Sequence, residues 1–362
     1  MQISRSLSYL PGQALWHMPA RFSLVKLLGR KYSLRCVLFH HISDQASPFT
    51  DGLGVNVTRK DFEARIRFLA HNYDPIDLEM LLAARQGAEL PPRPVLVTFD
   101  DAYASVAEEA APICRKYRVP ALFFVSASFL GNRDLSMDNF VCYVGNTFGF
   151  KEINAVAREF NGPRQVELRS RSQVTSEFIP TLSIERREAF KNRLAKAVGV
   201  RIEDLARKAG LYLASEQLRA LGSSGFEIGN HTFSHVHCRC LSATDFSKEI
   251  DQNKSTLEAV SGRRVRAFSV PYGSPTDLTP KLESHLRGSG HEAAFLVESR
   301  PNTTATDFFQ LNRVSMHSTS DGASFAEIEV LPRLRALRDL FVGDRETGAH
   351  LEPSSSREVP IR

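Results

Sequence analysis

Residues 95–125 read VLVTFDDAYASVAEEAAPICRKYRVPALFFV. The run Val95–Phe99 is apolar on both faces and is announced by Pro91, Pro92 and Pro94, which marks a buried strand. A helical stretch follows from about Ala102 to Lys116, and Pro120 then leads into a second apolar strand, Ala121–Val125. Two doubly apolar strands joined by a helix belong to a parallel sheet covered by helices.

The same alternation extends outward in both directions. Arg35–Phe39 reads as the first strand, and Thr58 with Asp61 caps an amphipathic helix bearing Phe62, Ile66 and Leu69. Later strands are expected at Phe226–Gly229, Ala267–Val270, Ala293–Val297 and Leu311–Ser315. Ser242 with Asp245 caps a helix with Phe246, Ile250 and Leu257 on one face, and a last helix runs from about Ala323 to Phe341. Between about 131 and 213 the pattern loosens into polar helices, which reads as a helical insertion rather than a second core. The fold class is therefore α/β: a distorted TIM-like (β/α) barrel of about seven strands with an insertion. It occupies residues 35–342, after an N-terminal extension (1–34) and before a Ser-, Pro- and charge-rich tail (343–362) expected to be disordered. In such barrels the chemistry sits just past the C-terminal ends of the strands.

Composition narrows the function classes. The chain has 362 residues, 42% apolar and 24% charged, with a formal net charge of +5. That suits a soluble globular protein. Without a dense Lys/Arg block it gives no reason to expect nucleic acid as a partner. Residues 21–34 place Phe22, Val25, Leu28 and Tyr32 near one face of a basic helix. A helix packed on the outside of the domain is the commoner meaning of that pattern, and peripheral membrane contact the other. No apolar run has the length of a signal peptide core or a membrane span, so a cytoplasmic location is expected. The odd set Cys36, Cys114, Cys142, Cys238 and Cys240 has no disulfide framework spacing and reads as reduced thiols.

Reactive residues gather where the barrel rule puts them. Past the strand at Val95 come Asp100 and Asp101, two adjacent carboxylates at a buried strand end. A metal can partner one and leave the other as a general base; a pair of helix N-cap acids is the alternative. Past the strand at Phe226 comes Gly229-Asn-His231-Thr-Phe-Ser-His235, whose imidazoles, read on one face of a helical turn, can converge on one ion. One Asp and two His leave coordination positions open, as a catalytic metal shell does. Past the strand at Ala267, Pro271-Tyr272-Gly273 forms a stiff turn able to aim a backbone N–H into the barrel mouth.

Together these segments resemble the polysaccharide deacetylase family, also described as the NodB homology domain or carbohydrate esterase family 4, over roughly residues 35–316. Its T-F-D-D-G-Y motif stands here as Thr98-Phe-Asp-Asp-Ala-Tyr103, its H-[ST]-x-x-H as His231 to His235, and its F-R-P-P-Y-G as Phe268-Ser-Val-Pro-Tyr-Gly273. The resemblance implies Asp100 as general base. It implies Asp101, His231 and His235 as ligands of a divalent metal, zinc first and other divalent ions as alternatives. It also implies the Tyr272 backbone N–H as oxyanion donor. Ser269 replaces the Arg that ordinarily pairs with the base, and Arg313 is the candidate substitute. For the general acid, Phe39-His40-His41-Ile42 resembles the Y-H-x-I of the branch that deacetylates poly-N-acetylglucosamine, which favours His40. His317, in an imperfect L-x-H match at Ser315-Met-His317, comes second.

The expected activity is hydrolytic removal of an N-acetyl group from an amino sugar in an oligosaccharide, a polysaccharide or a lipid-linked precursor. A deformylase or other linear-amide hydrolase acting on a lipid-linked sugar and an inactive carbohydrate-binding homologue are the alternatives.

Overall fold

The computed structural model describes residue 9 and residues 12–26, 34–160 and 167–347. Eight strands carry the barrel: β1 (Arg35–Phe39), β2 (Pro94–Phe99), β3 (Ala121–Val125), β4 (Glu227–Asn230), β5 (Ala267–Ser269), β6 (Ala293–Leu296), β7 (Leu311–Asn312) and β8 (Val314–Ser315). All neighbours are parallel, in the spatial order β7-β6-β5-β4-β3-β2-β1-β8. The two ends of that path are one run of chain. β7 pairs with β6 through Leu311 and Asn312, and β8 pairs with β1 through Val314 and Ser315. The expected strand 311–315 is thus split at Arg313, where the backbone passes from one neighbour to the other and closes the barrel. Counting that run once gives the seven strands read from the sequence.

Strand periodicity sorts the side chains. Val37, Val97, Phe99, Phe123 and Val125 face outward onto Phe62 and Ile66 of helix α1 (Arg59–Asn72) and onto Val106 and Ala110. The opposite phase (Cys36, Leu96, Leu122, Phe124, Ala267 and Phe295) fills the inside, where Leu78, Leu81 and Leu82 pack against it. Gly229 leaves room for this filling, because a Cβ there would collide with the Phe124 ring. Thr98 and Asp100 continue the phase of Leu96, so they belong to the interior at the other end of the strand.

The insertion differs from its expectation. Helices α2 (Met137–Thr147), α3 (Phe150–Phe160), α4 (Ile184–Ala197) and α5 (Ile202–Ala209) enclose an apolar core of their own, with Phe140, Val141, Ile153, Val156, Phe190 and Leu194 buried together. Its helices are polar on their outer faces only. Each contributes a short apolar stripe, and no single stripe announces a core.

The N-terminal expectation splits in two. Phe22 packs edge-on against Tyr73 and Phe325 at 5.8 and 5.3 Å, and Val25 is buried, so these two serve as a packed helix face. Leu28 and Tyr32 lie outside the described residues. The last helix continues to Thr347, past the expected start of the tail at Gly343, and residues 348–362 lie outside the described residues. Among the described residues no helix is long and apolar enough to cross a membrane. All five cysteines are free thiols.

Candidate active site

Asp100 sits at the C-terminal end of β2, nearly fully buried. Arg313, fully buried at the barrel seam, reaches it with two parallel bonds: Nη1 to Oδ1 at 2.8 Å and Nη2 to Oδ2 at 2.7 Å. The guanidinium has five donors, and all five find acceptors. Nε donates to Leu296 O, Nη1 also to Thr98 Oγ1 and Nη2 also to Ser269 Oγ. Ser269 in turn donates to Asp100 Oδ2 at 3.1 Å. The cation missing from position 269 therefore enters from the seam strand, and the serine hydroxyl completes its coordination. Burial alone would raise the Asp100 carboxyl; the Arg313 charge outweighs it, with help from His231 and His40, and holds the group below its ordinary value.

Asp101, His231 and His235 converge beside it. Asp101 Oδ1 lies 3.4 Å from His231 Nε2 and 3.2 Å from His235 Nε2. One ligand atom from each residue lies within 4.8 Å of the others. Tetrahedral coordination at about 2.1 Å separates ligand atoms by about 3.4 Å, so this spacing fits a divalent ion. Each outer nitrogen faces an oxygen. His231 Nδ1 donates to the Ser269 carbonyl oxygen at 2.8 Å, which leaves the Nε2 lone pair for a cation. His235 Nδ1 lies 3.2 Å from Asp138 Oδ2, and Tyr272 donates its hydroxyl to that same oxygen at 2.7 Å. Burial lowers the His235 imidazole's affinity for protons, but Asp101 and Asp138 more than reverse this and raise its pKa.

The His pair does not lie on a helical turn, as its spacing suggested. Thr232 and His235 stand at φ 59° and 52°, and the loop folds back so that the rings meet with centroids 5.0 Å apart. Asp101, Ala102 and Tyr272 are also left-handed, at 75°, 60° and 62°. Five strained non-glycine positions at one barrel mouth are the usual mark of a site whose geometry outranks local stability.

The sequence-derived residues fall into two groups. Asp100, Asp101, His40, His231, His235 and Tyr272 all line one cleft of about 330 Å³ at the barrel mouth. His317 does not. Its side chain is exposed, while its backbone is held by Glu327 and Arg65. The chain turns outward after β8, and His317 is not among the residues that line the cleft. Cys238 and Cys240 stand apart from the Asp/His cluster. A larger recess, about 890 Å³, is bounded by the 296–312 segment and the last helix and contains none of these residues.

Asp138 was not legible beforehand. It is the second residue of α2, after the Ser136 cap that accepts from Asn139 N, and there an acid reads as ordinary helix N-terminal charge. Only the folded insertion brings it to His235.

The sequence profile of the family described as polysaccharide deacetylase matches residues 87–287. The chain belongs to the polysaccharide deacetylase family. Among curated members, the poly-beta-1,6-N-acetyl-D-glucosamine N-deacetylase of Staphylococcus aureus is 30% identical over 80 residues, 22% of this chain and 28% of that protein. Its Staphylococcus epidermidis counterpart is 28% identical over 78 residues, 21% of this chain and 27% of that one. The chain thus spans little more than a quarter of the length of these relatives. Among solved structures, the deacetylase PplD of Streptococcus pyogenes superposes with a TM-score of 0.52 at 13% identity, covering 86% of this chain and 98% of its own. A de-N-acetylase from Aggregatibacter actinomycetemcomitans gives 0.51 at 15%, covering 79% and 95%. These likenesses agree with the barrel described above.

Proposed function

We propose that this deacetylase-family chain is a metal-dependent N-deacetylase acting on an amino sugar in an oligosaccharide, a polysaccharide or a lipid-linked precursor. The observation that carries this reading is the placement of the Asp101–His231–His235 cluster directly beside Asp100, itself clamped by Arg313. Those three residues would hold the cation, which when bound supplies Lewis acidity toward an amide carbonyl and makes water a stronger acid.

The remaining work falls to side chains. Asp100, ionised and fixed in direction by two bonds from Arg313, accepts the proton of the attacking water. The Tyr272 turn, held at φ 62° with its ring stacked on His237 at 3.6 Å, sets the direction of a backbone N–H toward the developing oxyanion. His40 is the cleft imidazole left to protonate the departing amine, since an amide nitrogen leaves poorly without a proton.

The test is acetate release from N-acetylglucosamine oligomers by metal-loaded protein, beside a chelated sample and an Asp100→Asn variant. Release that requires both the metal and Asp100 supports the reading. Release that survives chelation, or none at all, counts against it.

A further inference from the structure

We propose that the cleft is a chain-end pocket, which takes the terminal N-acylated sugar of its substrate and excludes a polymer lying across the barrel mouth. The inference rests on the deacetylase reading of the same site.

Two walls rise above the cluster, and they are joined. One is the 47–55 segment after β1; the other is the insertion. Asn139 Nδ2 donates to Phe49 O at 3.0 Å, and Asn146 Nδ2 donates to Pro48 O at 3.0 Å and to Asp51 O at 3.1 Å. Phe49 stacks on Tyr143 with centroids 4.8 Å apart and planes 14° from parallel. Arg171 completes the bridge. Its Nη1 donates to Asn146 Oδ1 at 2.6 Å, and its Nη2 lies so close over Gly52 that any side chain at 52 would collide with it. Gly52 stands at φ 88°, a backbone conformation that favours glycine, and a side chain there would have to displace the Arg171 guanidinium. Gly52 and Arg171 line the cleft together with Asp100, Asp101 and both metal-site histidines.

The consequence is steric. A polysaccharide threaded through the site must leave on both sides of the sugar whose amide is cut, and a hydrogen-bonded bridge closes one of those exits. The cleft volume agrees. At about 330 Å³ it lies at the small end of ligand pockets, about 300–1,000 Å³, room for one acylated ring rather than a run of them.

The experiment gives the metal-loaded protein fully acetylated N-acetylglucosamine oligomers, β-1,4- and β-1,6-linked, from dimer to hexamer, and locates each lost acetyl by fragmentation mass spectrometry. The expected result is one acetyl lost per chain, always from a terminal sugar. Loss from interior sugars overturns the proposal. Arg171→Ala and Asn146→Ala, which remove the bonds of Asn146 and Arg171 and leave the Asn139–Phe49 bond in place, loosen the bridge and should begin to yield interior loss. A second measurement does not depend on turnover: binding of the same oligomers to the Asp100→Asn protein. Affinity that stops rising after the dimer supports the pocket, and affinity that grows with every added sugar overturns it. No acetate from any oligomer, with length-independent binding, counts against the deacetylase reading and leaves the chain-end pocket supported. Absence of both release and binding overturns both.

Discussion

Arg313 and Asp100, 213 positions apart in the chain, meet as a bidentate pair with both partners buried. The pair sits where β7 hands over to β8, so the bond that orients the candidate base also fastens the barrel seam. Family members that carry the arginine in the F-R-P-P-Y-G motif would place this cation on β5 instead. Here the charge has moved to another strand while its target has stayed.

The relocation is testable by exchange. Arg313→Ser strands a buried carboxylate and should cost about 3–5 kcal/mol of stability, together with nearly all activity. Ser269→Arg alone adds a second cation where all five donors of the first are already matched, and should also destabilise. The double variant, Arg313→Ser with Ser269→Arg, returns the ion pair from the other side. Urea unfolding and acetate release should show it better than either single change. A double variant no better than the sum of its parts would mean that the two positions are not interchangeable.

Asp138 should matter to the metal before it matters to the chemistry. Its carboxylate is shared by His235 and Tyr272, so its loss releases the imidazole that points at Asp101. Outer partners of this kind are worth about 10–100-fold in metal affinity. Asp138→Ala is expected to weaken zinc binding by about that factor in a chelator competition, with little change in unfolding of the metal-free protein. Unchanged affinity would reduce Asp138 to a helix-end acid.

The two proposed acids separate cleanly. His40 lines the cleft and His317 faces solvent. His40→Ala should lower kcat by about 10²–10⁴-fold, the usual worth of a general acid, and His317→Ala should leave kcat within about twofold. Equal losses in both would return the acid to the late motif.

Much of this was readable beforehand because the strands are short and apolar, and proline announces two of them, at Pro94 and Pro120. Arg35–Phe39 and Ala121–Val125 match the observed β1 and β3 residue for residue. Reactive groups at strand ends were legible because the barrel fixes where they point. The unread parts depend on the third dimension. Nothing local marks Asp138 as facing His235, and an H-x-x-x-H spacing serves a helix or a strained loop equally well. The break at Arg313 was hidden because a single strand and a seam have the same apolar pattern. The insertion core was missed because its buried stripes belong to four separate helices.

Ala102 shows what the site costs. It occupies the glycine position of the T-F-D-D-G-Y motif and is held at φ 60°. A left-handed non-glycine residue costs about 1–2 kcal/mol, and glycine returns about 0.5–1 of that through the freedom of the unfolded chain. Ala102→Gly should therefore stabilise by about 0.5–1 kcal/mol and raise Tm by about 1–2 °C. A lower Tm would mean that packing of the buried methyl outweighs the backbone strain.

Acid sensitivity should trace in part to His291. Burial, with Lys254 nearby, pushes its imidazole down to about 3. Asn230 Nδ2 donates to Nε2 at 3.2 Å, and Ser289 Oγ lies 3.0 Å from Nδ1, so the ring is held neutral. Because the folded value lies below the unfolded value of about 6.5, the unfolded chain binds more protons between those limits, and stability must fall as pH falls. The loss from this one group is on the order of 3 kcal/mol between pH 7 and pH 4. His291→Gln cannot take up that proton. It should be the less stable protein at pH 7, where the histidine bonds are intact, and should close most of that gap by pH 4. Urea unfolding of both proteins at pH 7, 5 and 4 measures the difference directly, and a gap that does not change with pH would assign the acid lability to other groups.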